Sequence, residues 1–182
     1  MTQQQGATRR QTLEQERGKK AWDNINEIKD FSKARDDKGT LESEYCSRAR
    51  GLNAMIQQNG LGTTLGFLKA KSKIEKDEKG TILHDKKGRP RYNAPYLLLQ
   101  HLSEWMRVQN FVLTNNEYRG YDGLLLWITN IASSDDYRRA TTECLAFGLW
   151  LRRFAEAELK EKSENSTTTE PTETGATEGG AQ

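Results

Sequence analysis

The sequence predicts an all-α protein, a compact bundle of about six helices. Apolar residues recur every three or four positions in each periodic segment, and no segment alternates apolar with polar residues as a half-buried strand would. The chain has 182 residues, of which 34% are hydrophobic, enough for one domain with its own core. We place this domain at residues 11–162, between a flexible leader at residues 1–10 and a disordered acidic tail at residues 163–182.

The first two helices are predicted at residues 11–31 and 41–58. Each has one apolar face with helical spacing. These faces are formed by Ala21, Ile25 and Ile28 in the first helix and by Tyr45, Ala49, Leu52 and Ile56 in the second. The sequence DDKG separates the two helices, and Asn59 with Gly60 ends the second.

A short third helix follows, which Thr63 or Thr64 would cap. Its surroundings, NGLGTTLG at residues 59–66, superficially resemble a glycine loop that binds phosphate. That motif requires a preceding strand and a lysine with a hydroxyl residue at fixed places, and here the preceding residues are helical in pattern. A turn between two helices is the better interpretation.

The segment at residues 72–92 has no helical period and is interpreted as a mobile basic loop. Nine basic and four acidic residues fall between Lys69 and Arg91, an excess of five positive charges. Without the four glutamates beyond Lys162, the whole chain holds 28 basic and 22 acidic residues, so this segment contributes most of the surplus. A short hairpin is possible in its middle, but Pro90 weakens the second strand.

The remaining three helices lie in the second half of the chain. Asn93 is expected to cap the fourth, with Pro95 in its first turn. A shorter helix is predicted near residues 122–131, and the last at residues 133–157, capped by one of the two serines at its start.

Two arginine pairs mark the last helix, Arg138 with Arg139 and Arg152 with Arg153. Helical geometry places the pairs roughly 21 Å apart on one broad face. That face either holds a polyanion or a partner, or is simply solvated. Three carboxylates lie three or four positions from an arginine, a spacing that allows ion pairs along the helix: Asp135, Glu143 and Glu156. Such pairs favour the solvated alternative.

Leu145 and Leu149 lie between the arginine pairs, on the side opposite Phe147 and Leu151. A helix that is apolar on both sides is buried in its domain or covered by a partner. We therefore treat the two leucines as candidates for a subunit interface.

The sequence contains no recognisable catalytic or cofactor-binding motif. His84 and His101 have no second ligand at metal-binding spacing, and no nucleophile motif is present. The longest apolar run, at residues 124–128, is far shorter than the roughly 20 residues of a membrane span. Cys46 and Cys144 have no paired spacing. We expect a cytoplasmic protein with reduced thiols that does not contact a membrane.

Four stretches resemble the small, all-helical subunit of type III-B CRISPR effector complexes, the Cmr complexes. They are LEQERGKKAW (residues 13–22), NGLGTTLGFLKAK (59–71), YLLLQHLSEWM (96–106) and SSDDYRRATTECLAFGLWLRRFAEA (133–157), in this order. The last stretch is the most specific. The basic loop and the acidic tail match no motif of the family.

The resemblance implies a non-catalytic antiviral protein without a cofactor, whose copies stack into a minor filament beside the backbone subunits and the large subunit. This filament would help to hold guide RNA and target RNA through backbone contacts, because base pairing supplies sequence choice. Candidate RNA or partner contacts are Lys69, Lys71, Lys86, Lys87, Arg89, Arg91, Arg138, Arg139, Arg152 and Arg153. A stand-alone helical regulator that binds nucleic acid and a protein-only adaptor remain alternatives.

Overall fold

The computed structural model describes residues 3–110 and 118–159, with side chains from Thr12 onward. In these ranges the chain forms six α-helices and no strand, which confirms the all-α prediction. The helices are α1 (Gln3–Arg35), α2 (Thr40–Asn59), α3 (Leu61–Lys71), α4 (Ala94–Val108), α5 (Gly123–Asn130) and α6 (Ser134–Glu158). The predicted acidic tail lies outside the described residues.

Helix α6 lies between α1 and α2. It runs parallel to α1, since Arg17 pairs with Glu143 in the first half of α6 and Lys29 pairs with Glu158 at its end. Helix α2 runs antiparallel to α6. The two helices are close together at Gly148, where an added Cβ would come within 2.3 Å of the Asn53 side-chain oxygen. A side chain at this position would require the Asn53 side chain to move.

Helix α4 forms the other wall of the core, against α2 and α3, and α5 closes the end between α3 and α4. The Trp105 ring of α4 stacks on Phe147 of α6, with ring centroids 4.8 Å apart. The Tyr45 hydroxyl of α2 hydrogen-bonds His101 Nδ1 of α4 at 2.7 Å. His101 is thus a core residue that joins two helices.

Most helix ends agree with their sequence signals. The Asn93 and Ser133 side chains cap α4 and α6, as predicted. The prediction that Thr63 or Thr64 caps α3 was wrong: the helix begins at Leu61, and the Thr64 hydroxyl donates to the Gly60 carbonyl instead. Helix α1 begins at Gln3, so it includes most of the segment assigned to the leader, whose flexibility stays a prediction.

Candidate nucleic-acid and partner surfaces

The outer face of α6 carries all four arginines of the predicted pairs, each of them exposed. Leu149 lies between the pairs with 46% of its surface exposed, whereas Phe147 and Leu151 on the opposite side are fully buried. Leu145 is half-buried, and its backbone carbonyl accepts a hydrogen bond from the Asn53 side chain of α2. Of the two candidate interface leucines, Leu149 is the one presented outward.

Local ion pairs occupy three of these arginines. Arg138 pairs with Asp135 at 3.0 Å and Arg152 with Glu156 at 3.0 Å, each between exposed or half-exposed groups. The nearest oxygen of Asp136 is 3.9 Å from Arg139. Such surface pairs contribute tenths of a kcal/mol, so they do not prevent the arginines from exchanging partners.

Glu143, which the sequence offered as one of several local carboxylates for Arg139, contacts other helices instead. Its carboxylate points inward, where Arg17 of α1 donates to both oxygens at 2.9 and 2.6 Å. The indole nitrogen of Trp105 donates to the same carboxylate at 2.8 Å. The hydrogen bond to Glu143 outweighs burial and raises the pKa of Arg17. Glu143 therefore joins α1, α4 and α6.

The predicted basic loop contains an eight-residue repeat that sequence analysis missed, IEKDEKGT followed by ILHDKKGR. In each copy an aspartate, Asp77 or Asp85, accepts hydrogen bonds from the amides two and four residues further on. Gly80 and Gly88 close the turns with φ angles of 83° and 76°, a conformation that glycine adopts without strain. We name residues 72–92 the double turn.

A ring of three backbone hydrogen bonds closes the double turn. The amides of Glu75, Leu83 and Arg91 donate in cyclic order, Glu75 to Arg91 at 2.8 Å, Leu83 to Glu75 at 2.9 Å and Arg91 to Leu83 at 2.9 Å. The antiparallel bridge between His84 and Pro90 corresponds to the hairpin that the sequence analysis considered. The segment is thus built from hydrogen-bonded turns, and its mobility stays a prediction.

Carboxylates neutralise two candidate cations at the tip of the double turn. Lys87 and Arg89 both pair with Asp30 of α1, at 2.6 and 2.9 Å, and Arg89 also pairs with Asp85. The hydrogen bond from Lys87 lowers the pKa of Asp30. Burial opposes ionisation of Asp85, but hydrogen bonds from Arg89 and Lys87 outweigh it and lower its pKa as well.

Two further candidates of the double turn also have partners within the chain. The Lys86 amide donates to the Ala34 carbonyl of α1 at 3.0 Å, and its ammonium lies 3.4 Å from Asp36. Arg91 pairs with Glu75 at 3.0 Å. The double turn is therefore fastened to the end of α1, and most of its candidate cations contact acidic groups rather than solvent alone.

Lys69 lies apart from these residues, beside a stack of tyrosines. Its ammonium pairs with Asp122 and lies 4.4 Å from the centre of the Tyr121 ring. The Tyr96 ring stacks between Tyr121 and Tyr92, with centroid distances of 3.9 and 4.2 Å. Burial raises the pKa of Tyr96 to about 12. This stack joins the start of α4 to the segment before α5.

Two candidate cations have no acidic partner in the part of the chain that the structure describes, Lys71 and Arg153. Lys71 lines a surface cleft of about 500 Å³ with Arg48 and Lys73, which the sequence analysis did not select. No local pattern indicates Arg48, because the residues beside it come from the far end of α3 and the start of α4. Only the fold brings these cations together.

Within residues 3–110 and 118–159, no group of three histidine, cysteine, aspartate or glutamate residues is arranged to hold a metal ion. Burial raises the pKa of the Cys144 thiol, which disfavours the reactive thiolate. None of the six helices described is both long and apolar enough to cross a membrane.

Comparison with known proteins identifies the family. A crystal structure of a CRISPR-associated Cmr5 family protein from Thermus thermophilus has a similar fold, with a TM-score of 0.55 and 23% sequence identity over 81% of this chain and 98% of that one. The sequence model of the family described as CRISPR-associated protein (Cas_Cmr5) matches residues 13–158. The chain therefore belongs to the Cas_Cmr5 family, which confirms its resemblance to the small Cmr subunit.

Proposed function

We propose that this chain is a non-catalytic subunit of a type III-B effector, whose copies stack into a minor filament that supports guide RNA and target RNA. The outer face of α6 provides the contact. Family membership supports the assignment to CRISPR defence, and the neighbouring backbone and large subunits are the expected protein partners.

The exposure of Leu149 carries this proposal. Helix α6 is already packed between α1 and α2, yet it presents this leucine to solvent between Arg138 and Arg152. Arginines around an exposed leucine are typical of a protein interface, where arginine is enriched and can also reach backbone phosphates. The local carboxylate pairs are weak enough to be replaced by such contacts.

The test compares folding and assembly of the same variants. Changing Arg138, Arg139, Arg152 and Arg153 to alanine should alter the free energy of unfolding by about 1 kcal/mol or less, because each exposed pair contributes only tenths. Incorporation into the reconstituted complex should fall sharply, since breaking interfacial charge contacts costs about 2–5 kcal/mol. Circular dichroism reports folding, and native mass spectrometry reports assembly.

Leu149→Asp should give the same assembly defect, because it places an unpaired carboxylate in an apolar contact. Ile131→Asp is a matched control, since Ile131 is 49% exposed and lies outside α6. Normal assembly of both the four-alanine variant and Leu149→Asp would contradict the proposed interface. A chain that binds RNA but joins no Cmr subunit would favour the stand-alone regulator, and one that assembles only into RNA-free complexes would favour the adaptor.

A further inference from the structure

A polar cleft separates α2 from the junction of α3 with the double turn. Its volume is about 500 Å³, and it is open to solvent. Three cations line it, Arg48 from α2, Lys71 at the end of α3 and Lys73 just beyond. Neutral hydrogen-bonding groups of Ser43, Ser47 and Asn93 lie among them.

The three cations differ from most of those in the double turn. No carboxylate of the described residues lies within ion-pair distance of Arg48, Lys71 or Lys73, although Glu44 lines the same cleft. All three side chains are exposed. Their charge is therefore available to a ligand without the loss of an existing ion pair.

The Asn93 side chain fixes the two lysines. Its amide nitrogen donates to the Lys71 carbonyl at 2.8 Å, and its oxygen accepts from the Lys73 amide at 2.9 Å. The same oxygen caps α4 by accepting from the Tyr96 amide. On the opposite wall, the Arg48 guanidinium lies over the Phe67 ring, 5.8 Å from its centre. The backbone that carries the lysines is therefore held in place before any ligand arrives.

A second, smaller cleft of about 250 Å³ shares the walls Glu44 and Asn93 with the first. Arg35 and Arg91 line it, both in contact with Glu75. The Arg35 side chain is only 1% exposed, and its buried Nε has no hydrogen-bond partner in the described structure. Three carboxylates, Asp37, Glu44 and Glu75, line this smaller cleft and compensate its two arginines, so the unpaired positive charge belongs to the open cleft.

We propose that this cleft binds the phosphodiester backbone of RNA, with Arg48, Lys71 and Lys73 as the phosphate contacts. The inference rests on the proposed RNA-supporting function and adds an RNA site away from α6. Cations combined with hydroxyl and amide groups suit backbone phosphates, since such contacts position a nucleic acid without reading its sequence. An open cleft also suits a continuous strand better than a small enclosed ligand.

The test measures binding of the full chain to a labelled single-stranded RNA of mixed sequence over a series of salt concentrations. Arg48, Lys71 and Lys73 are changed together to alanine. Each phosphate contact on a single strand contributes about 0.7 to the slope of log affinity against log salt, so the variant should lose about 2 from this slope. The matched control changes Arg107, Lys19 and Lys33 to alanine, which removes the same charge outside the cleft.

The expected result is a flatter slope and weaker binding for the cleft variant, with the control close to the unmodified chain. Equal losses in both variants would show that only net charge matters, and would overturn the proposal. An unchanged slope in the cleft variant, or no salt-dependent binding by the unmodified chain, would overturn it as well. Assembly of the same variants, measured by native mass spectrometry, tests the proposed subunit role separately.

Discussion

The inner and outer faces of α6 contain the same kind of ion pair in opposite surroundings. On the inner face, Glu143 is 8% exposed in its side chain and pairs with Arg17 of another helix. On the outer face, Asp135 is 84% exposed and pairs with Arg138 three residues away. The number of charged contacts is therefore a poor guide to what holds this bundle together, because burial determines the cost of losing each one.

The largest effect is expected from Glu143→Ala. Removing this carboxylate leaves the Trp105 indole nitrogen without its acceptor and leaves Arg17 with only the exposed Glu14 as an acidic partner. Loss of one partner from a largely buried pair typically costs about 3–5 kcal/mol. Urea unfolding monitored by circular dichroism gives the change in free energy. Glu143→Gln keeps an acceptor for Trp105 and should lose less. Equal free energies of unfolding for the unmodified chain, Glu143→Ala and Glu143→Gln would show that the pair on the inner face of α6 contributes no more than the pair on its outer face.

An intermediate and local effect is expected from Asp85→Ala in the double turn. The Asp85 side chain is fully buried and accepts from two backbone amides and from Arg89, so its loss leaves several donors unsatisfied, at about 1–3 kcal/mol for the segment. Hydrogen exchange of the Lys87 and Arg89 amides measures the opening. Asp77→Ala is the matched control, because Asp77 has the same role in the exposed first turn. A larger effect at Asp77 would contradict the dependence on burial.

Acid should release the double turn from α1. The folded-state pKa of Asp30 is lowered, so its pairing with Lys87 and Arg89 contributes stability above the ordinary value of 3.8. This contribution is lost as the pH falls below 3.8 and through the lowered folded-state value. The Lys86 amide, which donates to Ala34, should then exchange faster in a titration followed by nuclear magnetic resonance. In Asp30→Asn this acid-dependent step should be smaller, with the remainder due to Asp85, whose pKa is also lowered. A step of undiminished size would contradict the assignment to Asp30.

The smallest effect is expected from Asp135→Ala on the outer face. An exposed pair of this spacing contributes about 0.2–0.5 kcal/mol, and part of that is screened by salt. Urea unfolding at low and high salt measures it. A loss that approaches the cost of Glu143→Ala would remove the distinction between the two faces of α6.

Helix periodicity and the caps of α4 and α6 were predictable because the residues that determine them lie close together in the chain. Asn93 and Ser133 lie directly before the helices that they cap, and Leu149 is recognisable as an outward residue from its helical angle relative to Phe147. The inward orientation of Glu143 was not predictable in this way. Its partner Arg17 is 126 positions away, and local spacing to Arg139 suggested a surface pair instead.

The double turn differs, because its signal is local: the repeat lies within sixteen consecutive residues of the sequence. The repeated spacing of aspartate and glycine indicates two similar turns, whereas net charge indicates only an excess of positive residues. The carboxylates that neutralise part of this excess belong partly to the segment itself, as with Asp85, and partly to α1, as with Asp30. The cleft with Arg48 required the fold, because three distant segments line it.

The hydrogen-bonded ring of Glu75, Leu83 and Arg91 has a consequence for self-association. Each of these residues donates one amide hydrogen and accepts one within the ring. At this level the segment therefore lacks the row of free backbone groups with which an open sheet edge recruits strands from other molecules. A chain with extended segments and exposed isoleucines at 74 and 82 would otherwise present a template for aggregation. Closure of the ring thus uses the amide and the carbonyl group of all three of its residues within the segment.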